Sequence, residues 1–567
     1  MIRYFVTGAS GFIGRHLCRA LVEQGRTVTA LLRSDSSAEG LPSEVRVVRA
    51  SFDRPDVYGP ALAECDYVVH LAADARFGDG PGYAAANVGT TAALLKAVAA
   101  SAPGLRRLVF VSTMGAVDRA RADDCSAALT EDSPPHPTSD YGRSKLEAER
   151  LVAASGLPYA VVRPSMVAGA DMRANSHVAV FARLAAAGSL FSRARWPGRV
   201  SVIHVSDLAR GLIVAAEHAE AAGRTFFAGG EPVSLGEIFD YAAPGRARVG
   251  LGWLAALSRP FAVALPFQAK ALLHSALAVD DGALRRLGWT PRRAWRQAID
   301  EVCERERRRL DPALPPPGRA VVTGAASGLG RALAEALARR GRRLLLVDRD
   351  AAGLEAVCPG RPHVERARCD LSDESALGTL LASPVWSREA IDEVFACAGL
   401  GLRGAVAVLP YSGQADIYRV NLLSRLQLVH HALRAMRARQ FGRIVLISSS
   451  SAYQALPFMT VYAASNAALL LFGEGLASET REDGIEVLTV CPGGMRTRFQ
   501  KSAGVQELRD EKLMEPGEVA DLILRALGRD RRVIMPSFRS KAMAALARIL
   551  PRRVSVALWH RLMARLR

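Results

Sequence analysis

The sequence predicts two α/β domains in tandem, each built on a doubly wound parallel sheet, and three observations support this. Its 567 residues exceed one ordinary core and fit two domains of roughly 250 to 300 residues each. The octapeptide TGASGFIG at residues 7–14 recurs as TGAASGLG at residues 323–330. Each copy follows an apolar strand-like run and precedes a helix-like one, which predicts the opening of a strand–turn–helix unit.

A Pro-rich segment predicts the boundary between the two domains. DPALPPPG, residues 311–318, follows the charged, helix-like run CERERRRL. It cannot continue that helix, because proline has no amide hydrogen to donate. We therefore expect one domain over residues 1–310, a linker over 311–318, a second domain over 319–536 and a basic C-terminal segment over 537–567.

Composition excludes several classes of function. The formal net charge of +18 is spread along the chain without a zinc, helix-turn-helix or RNA-stacking motif, so we do not expect a nucleic-acid partner. The eight cysteines show no paired spacing, which argues against a metal site or a disulfide framework and favours the cytoplasm. No apolar stretch approaches the roughly 20 residues that cross a bilayer.

The two glycine-rich turns predict dinucleotide sites of the Rossmann type. Glycine allows a tight turn out of the first strand and lets backbone amides and the helix N-terminus approach a pyrophosphate closely. The residues concerned are Gly8, Gly11, Phe12, Ile13 and Gly14 in the first domain and Gly324, Ser327, Gly328, Leu329 and Gly330 in the second.

The residue at the end of the second strand predicts which nucleotide each domain binds. In the first domain TALLRS offers Arg33 and no carboxylate, which favours the 2′-phosphate of NADP(H). In the second domain LLLVDRD offers Asp348, whose carboxylate accepts from ribose hydroxyls and repels a phosphate. NAD(H) is therefore favoured there, with NADP(H) as the alternative because Arg349 is adjacent.

A tyrosine and a lysine four residues apart predict a proton-transfer pair in the first domain. Tyr141 and Lys145 lie in the helix-like segment YGRSKLEAE, so they share one helix face. A neighbouring ammonium stabilises a phenolate and makes the phenol a better acid or base near neutral pH. Ser112 or Thr113, at the end of LVFVST, is expected to hold the substrate oxygen, and we favour Thr113.

Both halves of the sequence resemble the short-chain dehydrogenase/reductase family, and the resemblance covers nearly the whole chain. The first half resembles the extended branch in TGASGFIG, HLAA, AANVGTTAALL, YGRSK, VVRPS and IHVSDLARGL. This resemblance implies that Ala72, Asn87 and Pro164 contribute to the cofactor site and that Asn87 supports the catalytic pair. One departure is Ser51, which stands where that branch usually has an aspartate near the adenine.

The second half resembles the compact, single-domain branch. The matching motifs are TGAASGLG, CDLSD, ACAGL, VNLLS, VLISSSSAY and CPGGMRT. The resemblance implies catalytic roles for Ser449, Tyr462, Asn421 and Asn466, and cofactor contacts from Asp370, Ala398, Gly399, Asn421, Tyr462, Pro492, Gly493 and Thr497. The sequence departs from the pattern of that branch at two positions of the expected catalytic site: Cys397 stands in place of an asparagine, and Asn466 in place of the expected lysine.

The loss of that lysine predicts an altered second site. Asn466 is neutral and cannot stabilise a phenolate by charge. No lysine occurs between Lys270 and Lys501, so only an arginine or a repositioned Lys501 could substitute, and arginine adapts poorly to proton relay. We expect the first domain to perform the reaction and the second to bind nucleotide with altered catalysis.

The predicted reaction is reduction of a carbonyl, or oxidation of a hydroxyl, on a hydrophobic substrate. Residues 165–311 are apolar and Arg-rich and are expected to form a C-terminal substrate lobe of the first domain. Three alternatives stay open. The layout resembles bacterial two-domain fatty acyl reductases with both domains active; the first half resembles sugar-nucleotide epimerases and dehydratases; and a nucleotide-sensing interaction protein needs no turnover.

The C-terminal segment 537–567 carries eight Lys or Arg and no acidic residue, interleaved with apolar side chains. This pattern is typical of a segment that lies on an anionic membrane or lines a hydrophobic substrate entrance, and equally of a helix packed on its own domain. The predicted location is cytoplasmic with peripheral membrane contact. Resemblance to the compact branch further implies a homodimer formed through the second half.

Overall fold

The structure is a computed structural model that describes residues 2–564, except 35, 37, 39, 75–81, 121–124, 170, 173–175, 266, 311–317, 505–512 and 530. The chain divides into two compact units, Met1–Glu306 and Arg307–Arg567. The expected linker falls on residues 311–318, of which 311–317 lie outside the described residues. Each unit contains a seven-stranded parallel sheet, and the predicted α/β fold class is confirmed.

The first unit is organised around a parallel sheet of strand order β10-β6-β5-β4-β1-β2-β3. Its strands are apolar because both faces of the sheet are covered by helices. They are β1 (Arg3–Thr7), β2 (Thr27–Leu32), β3 (Arg46–Arg49), β4 (Tyr67–His70), β5 (Arg107–Val111), β6 (Tyr159–Pro164) and, after three strands given below, β10 (Arg224–Ala228).

Smaller sheets and helices follow β6, in the region where the sequence predicts a substrate lobe. A three-stranded sheet has the order β11-β9-β7 and a two-stranded one joins β8 and β12. These strands are β7 (Met166–Ala168), β8 (Ala194–Arg195), β9 (Arg199–His204), β11 (Pro232–Ser234) and β12 (Val249–Gly250). The helices of the unit are α1 (Phe12–Glu23), α2 (Pro55–Ala63), α3 (Thr90–Ser101), α4 (Asp140–Ala154), α5 (His177–Ala187), α6 (Val205–Glu217), α7 (Leu235–Ala242), α8 (Gly252–Ser258), α9 (Phe267–Leu273), α10 (Gly282–Arg286) and α11 (Trp295–Leu310).

The second unit has a sheet of order β15-β14-β13-β16-β17-β18-β19, in which every pairing is parallel. The strands are β13 (Arg319–Thr323), β14 (Leu344–Asp348), β15 (Val364–Arg368), β16 (Ile391–Ala396), β17 (Gly442–Ile447), β18 (Ile485–Val490) and β19 (Val533–Ile534). The helices are α12 (Gly328–Arg339), α13 (Ala351–Glu355), α14 (Glu374–Ala382), α15 (Pro384–Ser387), α16 (Tyr411–Tyr418), α17 (Ser424–Arg439), α18 (Thr460–Glu479), α19 (Phe499–Ser502), α20 (Pro516–Ala526), α21 (Phe538–Ile549) and α22 (Arg552–Ala564).

Each sheet is covered by a separate apolar cluster on each face. In the first unit one cluster joins α1 and α6 to the sheet, and the other joins α2, α3 and α4 to the opposite face. In the second unit α12 and α20 cover one face, while α14, α17 and α18 cover the other. Helices on both faces leave the carboxyl edge of the strands open, where ligands bind in such sheets.

Within the described residues, no helix combines the length and the apolar character that a bilayer crossing requires.

Candidate active sites

In the glycine turns of both units, the backbone adopts a conformation and makes close approaches that a residue with a side chain would not allow. Gly8 and Gly324 adopt left-handed backbone conformations, with φ of +70° and +66°. A Cβ on Gly8 would lie 2.6 Å from the amide nitrogen of Ala72, and a Cβ on Gly324 would lie 2.7 Å from the Cα of Ala398. Only glycine permits this close approach of two backbone segments, which brings the turn and the helix N-terminus behind it to the carboxyl edge of the sheet, where a pyrophosphate is expected to bind.

The ends of the second strands place the predicted selectivity residues beside these turns. Arg33 directly follows β2 and is exposed. Asp348 is the last residue of β14, and its carboxylate accepts from the amides of Ala326 and Asp350, each at 3.0 Å. These bonds orient the carboxylate and leave it further lone pairs for ribose hydroxyls.

In the first unit, the catalytic helix α4 begins at Ser139, whose hydroxyl accepts from the amide of Gly142 at 3.1 Å. Tyr141 and Lys145 therefore lie one turn apart near its N-terminus. Lys145 is only 2% exposed, and its Nζ lies 4.2 Å from the centroid of the Phe110 ring.

Burial lowers the pKa of Lys145 to about 7, while the carboxylate of Glu149 acts in the opposite direction. That carboxylate is already engaged by Arg163, which donates to it over 3.0 and 2.6 Å. None of the ion pairs between described residues includes Lys145. Its charge adds to the effect of burial in lowering the pKa of His70, and it lies one helical turn from Tyr141.

The two hydroxyl residues after β5 differ in their bonding. Thr113 caps the short 3₁₀ turn Met114–Ala116, and its Oγ1 accepts from the amide of Gly115 at 3.2 Å. Ser112 is buried, and its Oγ has no hydrogen-bond partner among the described residues. Both hydroxyls follow β5 at the carboxyl edge of the sheet, where a substrate oxygen would need a donor.

Asn87 ties the catalytic helix to the rest of the first unit. It lies in a π-helical turn, Ala84–Gly89. Its Oδ1 accepts from the amide of Asp74 at 2.7 Å, and its Nδ2 donates to the Asp74 carbonyl at 3.2 Å and to Ser144 Oγ at 2.9 Å. Because Ser144 directly precedes Lys145, this network positions the lysine.

Asn421 repeats the same network in the second unit. It also lies in a π-helical turn, Arg419–Leu423. Its Oδ1 accepts from the amide of Leu400 at 2.8 Å, and its Nδ2 donates to the Leu400 carbonyl at 2.9 Å and to Ser465 Oγ at 3.1 Å. Ser465 precedes Asn466, the position of the missing lysine.

Ser449 and Tyr462 lie together in the second unit. Ser449 caps the 3₁₀ turn Ser450–Tyr453 with backbone angles close to those of Thr113. Burial raises the pKa of Tyr462, whereas its hydrogen bond with Ser449, the positive charge of Arg425 and a hydrogen bond with the side chain of Asn466 lower it. The two units thus share a hydroxyl residue, a tyrosine and a nearby cation.

Asn466 and Arg425 are the residues by which the second unit departs from the first. The Nδ2 of Asn466 donates to the backbone carbonyl of Tyr462 at 2.9 Å, so its amide supports the helix. Arg425, for which the sequence predicts no role, is 4% exposed and donates to the carbonyls of Ile447 at 2.7 Å and Ala398 at 2.5 Å. Its spacing of four residues from Asn421 places it on the same helix face, but the sequence does not show that this side chain is buried.

A cavity of about 1260 Å³ opens at the carboxyl edge of the second sheet. All residues that the sequence predicts for this site line it: Gly324, Ser327, Gly328, Leu329, Gly330, Asp348, Asp370, Ala398, Gly399, Asn421, Ser449, Tyr462, Asn466, Pro492, Gly493 and Thr497. The side chain of Lys501, the alternative cation, lies outside the described part of the structure. Helices α21 and α22 add apolar side chains that include Met543, Trp559 and Met563.

In the first unit the predicted residues likewise gather at the carboxyl edge. The segment 8–14 follows β1, Arg33 follows β2, Ala72 lies two residues after β4, and Ser112 and Thr113 follow β5, while Pro164 ends β6. Asn87, Tyr141 and Lys145 lie on the helices and turns that flank this edge.

Comparison with known sequence families agrees with this division. Residues 4–229 match the NAD dependent epimerase/dehydratase family, and residues 319–508 match the short chain dehydrogenase family.

Three known proteins illustrate the similarity. A 4-hydroxy-2-methyl-3-oxo-4-farnesyl-3,4-dihydroquinoline-1-oxide ketoreductase of Stigmatella aurantiaca is 30% identical over 332 residues, covering 53% of this chain and 96% of the relative. Dehydrogenase/reductase SDR family member 7B of Bos taurus is 30% identical over 262 residues, covering 43% and 79%. The structure of a short-chain dehydrogenase from Sphingobium yanoikuyae in complex with NADPH is 26% identical, covers 41% of this chain and 96% of that one, and aligns with a TM-score of 0.36.

Proposed function

The chain belongs to the short-chain dehydrogenase/reductase family as an NAD(P)-dependent oxidoreductase, and we propose that its first unit reduces a carbonyl group of a hydrophobic substrate with NADPH. The observation that carries this proposal is Lys145, a buried cation outside the described ion pairs, one turn from Tyr141 on α4. Burying such a charge is costly unless a ligand or a developing anion compensates it.

The chain's own residues handle the proton in this reaction. Bound NADPH supplies a hydride to the carbonyl carbon. The phenol of Tyr141 donates its proton to the carbonyl oxygen, and Lys145 stabilises the phenolate that remains. Thr113 donates a hydrogen bond that orients the same oxygen, and Asn87 positions Lys145 through Ser144. The reverse sequence oxidises a hydroxyl.

We assign NADP(H) to the first unit and NAD(H), with NADP(H) as the alternative, to the second. Arg33 lies exposed where a 2′-phosphate would rest, and Arg49 donates to the carbonyls of Arg33 and Ser36. In the second unit the carboxylate of Asp348 would repel a phosphate at the equivalent place. The second unit then binds nucleotide with an altered catalytic set.

A hydrophobic substrate is supported by two observations. The relative from Stigmatella aurantiaca is named for a ketone that carries a farnesyl group. In the second unit, the cavity that contains Tyr462 is walled by apolar side chains of α21 and α22. An apolar wall beside a few polar groups is typical of sites that hold an apolar ligand by burial and orient one reactive atom.

The outer faces of α21 and α22 support a contact with an anionic membrane. Phe538 is 84% exposed and Ile549 is 80% exposed, and the basic side chains of these helices include Arg539 and Lys541. Exposed apolar side chains beside a basic surface are typical of segments that rest on lipid headgroups. We include this contact in the proposal because it would bring apolar substrates to the cavity.

The test is NADPH oxidation by the full chain with decanal, 2-decanone and cholestenone. Tyr141→Phe should lower turnover by about 10²- to 10⁴-fold and leave the dissociation constant for NADPH within a few-fold. Tyr83→Phe is the matched control, because its ring centre lies 6.0 Å from that of Tyr141. Absence of NADPH oxidation with every carbonyl would contradict the proposal and favour a nucleotide-sensing interaction protein.

A further inference from the structure

The two units carry different residues at one position beside their equivalent asparagines. Four residues after Asn87 stands Thr91, whose hydroxyl donates to the Asn87 carbonyl at 2.6 Å. Four residues after Asn421 stands Arg425. Because both asparagines make the same bonds in the same kind of turn, these two positions are structurally equivalent. The second unit has therefore gained a cation on α17.

The second unit lacks a cation at another equivalent position. Lys145 of the first unit corresponds to Asn466, which follows the serine bound by Asn421. Asn466, which stands at the position of the lysine, and Arg425 both line the cavity that contains Tyr462. In the first unit the cation lies on the same helix as the tyrosine, α4. In the second unit the tyrosine lies on α18 and the cation lies on α17.

Arg425 is buried without a carboxylate partner among the described residues. None of the ion pairs between described residues includes it, and its Nε has no hydrogen-bond partner among them. Its two terminal nitrogens donate to carbonyls, which satisfy hydrogen bonds and leave the charge uncompensated. Arg107 of the first unit is also buried and, among the described residues, donates only to backbone carbonyls, so burial alone does not assign a role to Arg425. What distinguishes Arg425 is that its charge acts on Tyr462 and lowers the pKa of that phenol.

Among the described residues, the other ionisable groups whose charge acts on Tyr462 or Arg425 are the thiols of Cys491 and Cys397. Burial raises the pKa of Cys397 to about 12 and that of Cys491 to about 11. Both thiols are therefore neutral near pH 7 and cannot compensate the guanidinium. The phenolate of Tyr462 is the anion that remains.

We propose that Arg425 supplies to Tyr462 the positive charge that Lys145 supplies to Tyr141, so that the second unit is a second carbonyl-reducing centre. The inference rests on the proposed role of these tyrosines. A hydride from NADH adds to the carbonyl carbon while the Tyr462 proton passes to the oxygen, giving an alcohol, NAD⁺ and a phenolate. Arg425 stabilises that phenolate until it regains a proton from solvent.

The test measures the titration of Tyr462 in the full chain with Tyr141→Phe. Tyrosinate absorbance is recorded directly after a rapid pH jump, before unfolding, and the curve of the same chain with Tyr462→Phe is subtracted. Arg425→Met should raise the midpoint by about one pH unit or more. Arg425→Lys should leave it nearly unchanged, because the charge is kept. Equal midpoints in the native and Met chains would overturn the inference.

The exchange of both residues separates charge from a purely structural role. Arg425→Thr with Asn466→Lys reproduces the pair found in the first unit and removes the contacts of Arg425 to Ile447 and Ala398. We expect this double variant to restore the native midpoint and the NADH-dependent reduction of decanal that Arg425→Thr alone loses. If the double variant shows the same midpoint and the same loss of decanal reduction as Arg425→Thr, Arg425 has only a structural role.

These readouts also separate the inference from the proposed function. The titration needs no substrate, so a lack of turnover in the first unit does not affect it. Decanal reduction by the chain with Tyr141→Phe that is unchanged by Arg425→Met would overturn the inference while leaving the proposed reaction of the first unit intact.

Discussion

The ammonium of Lys145 lies 4.2 Å from the centroid of the Phe110 ring, and the ring's negative face is a weak substitute for a carboxylate. Burial is consequently the main influence on this lysine and lowers its pKa from the ordinary 10.5 to about 7. The buried ammonium of Lys145 lowers the stability of the protein without ligand. It becomes favourable when a dinucleotide and a phenolate lie beside it.

This cost predicts how the stability of the first unit depends on pH. Below pH 7 both the folded and the unfolded chain hold the Lys145 proton, and the whole burial penalty is present. Between the folded pKa of about 7 and the ordinary value of 10.5, the unfolded chain holds more protons, so the free energy of unfolding rises with pH.

Lys145→Met should therefore stabilise the first unit at pH 6, by on the order of 1–4 kcal/mol, and the gain should shrink as the pH approaches 10. Thermal unfolding of the two chains across this range measures the effect. Lys96→Met, on the exposed face of α3, is the control and should show no such trend. A gain that is independent of pH would mean that Lys145 is not the titrating group.

The sequence alone predicts that Asn466→Lys repairs the second site, whereas the structure predicts damage. The new ammonium would enter a region that already holds the buried charge of Arg425. Two like charges without a carboxylate should destabilise the second unit by on the order of 3 kcal/mol. Urea unfolding measures this loss, and Asn466→Met is the uncharged control. Higher NADH-dependent activity from Asn466→Lys alone would contradict the prediction.

The fold and most of the second site could be predicted from local pattern. The glycine turns had to follow strands, and residues such as Asp348, Ser449 and Tyr462 follow or flank strands whose carboxyl ends meet at one edge. This works because strand order in a parallel sheet brings those ends together whatever their separation in sequence.

Arg425 could not be predicted in the same way. Its role depends on contacts between α17, β16 and β17, and a sequence with many surface arginines does not reveal which one is buried. The inner face of the C-terminal segment was also one alternative among three, because an amphipathic pattern does not say what covers its apolar side. Tertiary packing decides both.

Substitution of a single glycine by alanine should abolish nucleotide binding in one unit and leave the other unit unaffected. A Cβ on Gly14 would overlap the carbonyl oxygen of Gly8, and a Cβ on Gly330 would overlap that of Gly324. We expect calorimetry with NADPH and NADH to find two sites per chain, and Gly14→Ala and Gly330→Ala each to leave one.

The controls for this experiment are two glycines with open surroundings. A Cβ on Gly104 or Gly475 would meet nothing within 4 Å, so Gly104→Ala and Gly475→Ala should keep both sites. Two intact sites in Gly330→Ala would show that nucleotide does not approach the second turn.

The C-terminal helices should bind anionic vesicles through their outer faces. The full chain should sediment with vesicles of phosphatidylcholine and phosphatidylglycerol but not with phosphatidylcholine alone, and binding should weaken with added salt because salt screens the basic side chains. Phe538→Asp and Ile549→Asp should each reduce binding several-fold, since each places a carboxylate at the lipid surface. Leu190→Asp is the matched control, because Leu190 is as exposed as Phe538, at 84%, and belongs to the first unit. Equal sedimentation of all three variants would exclude this face as the membrane contact.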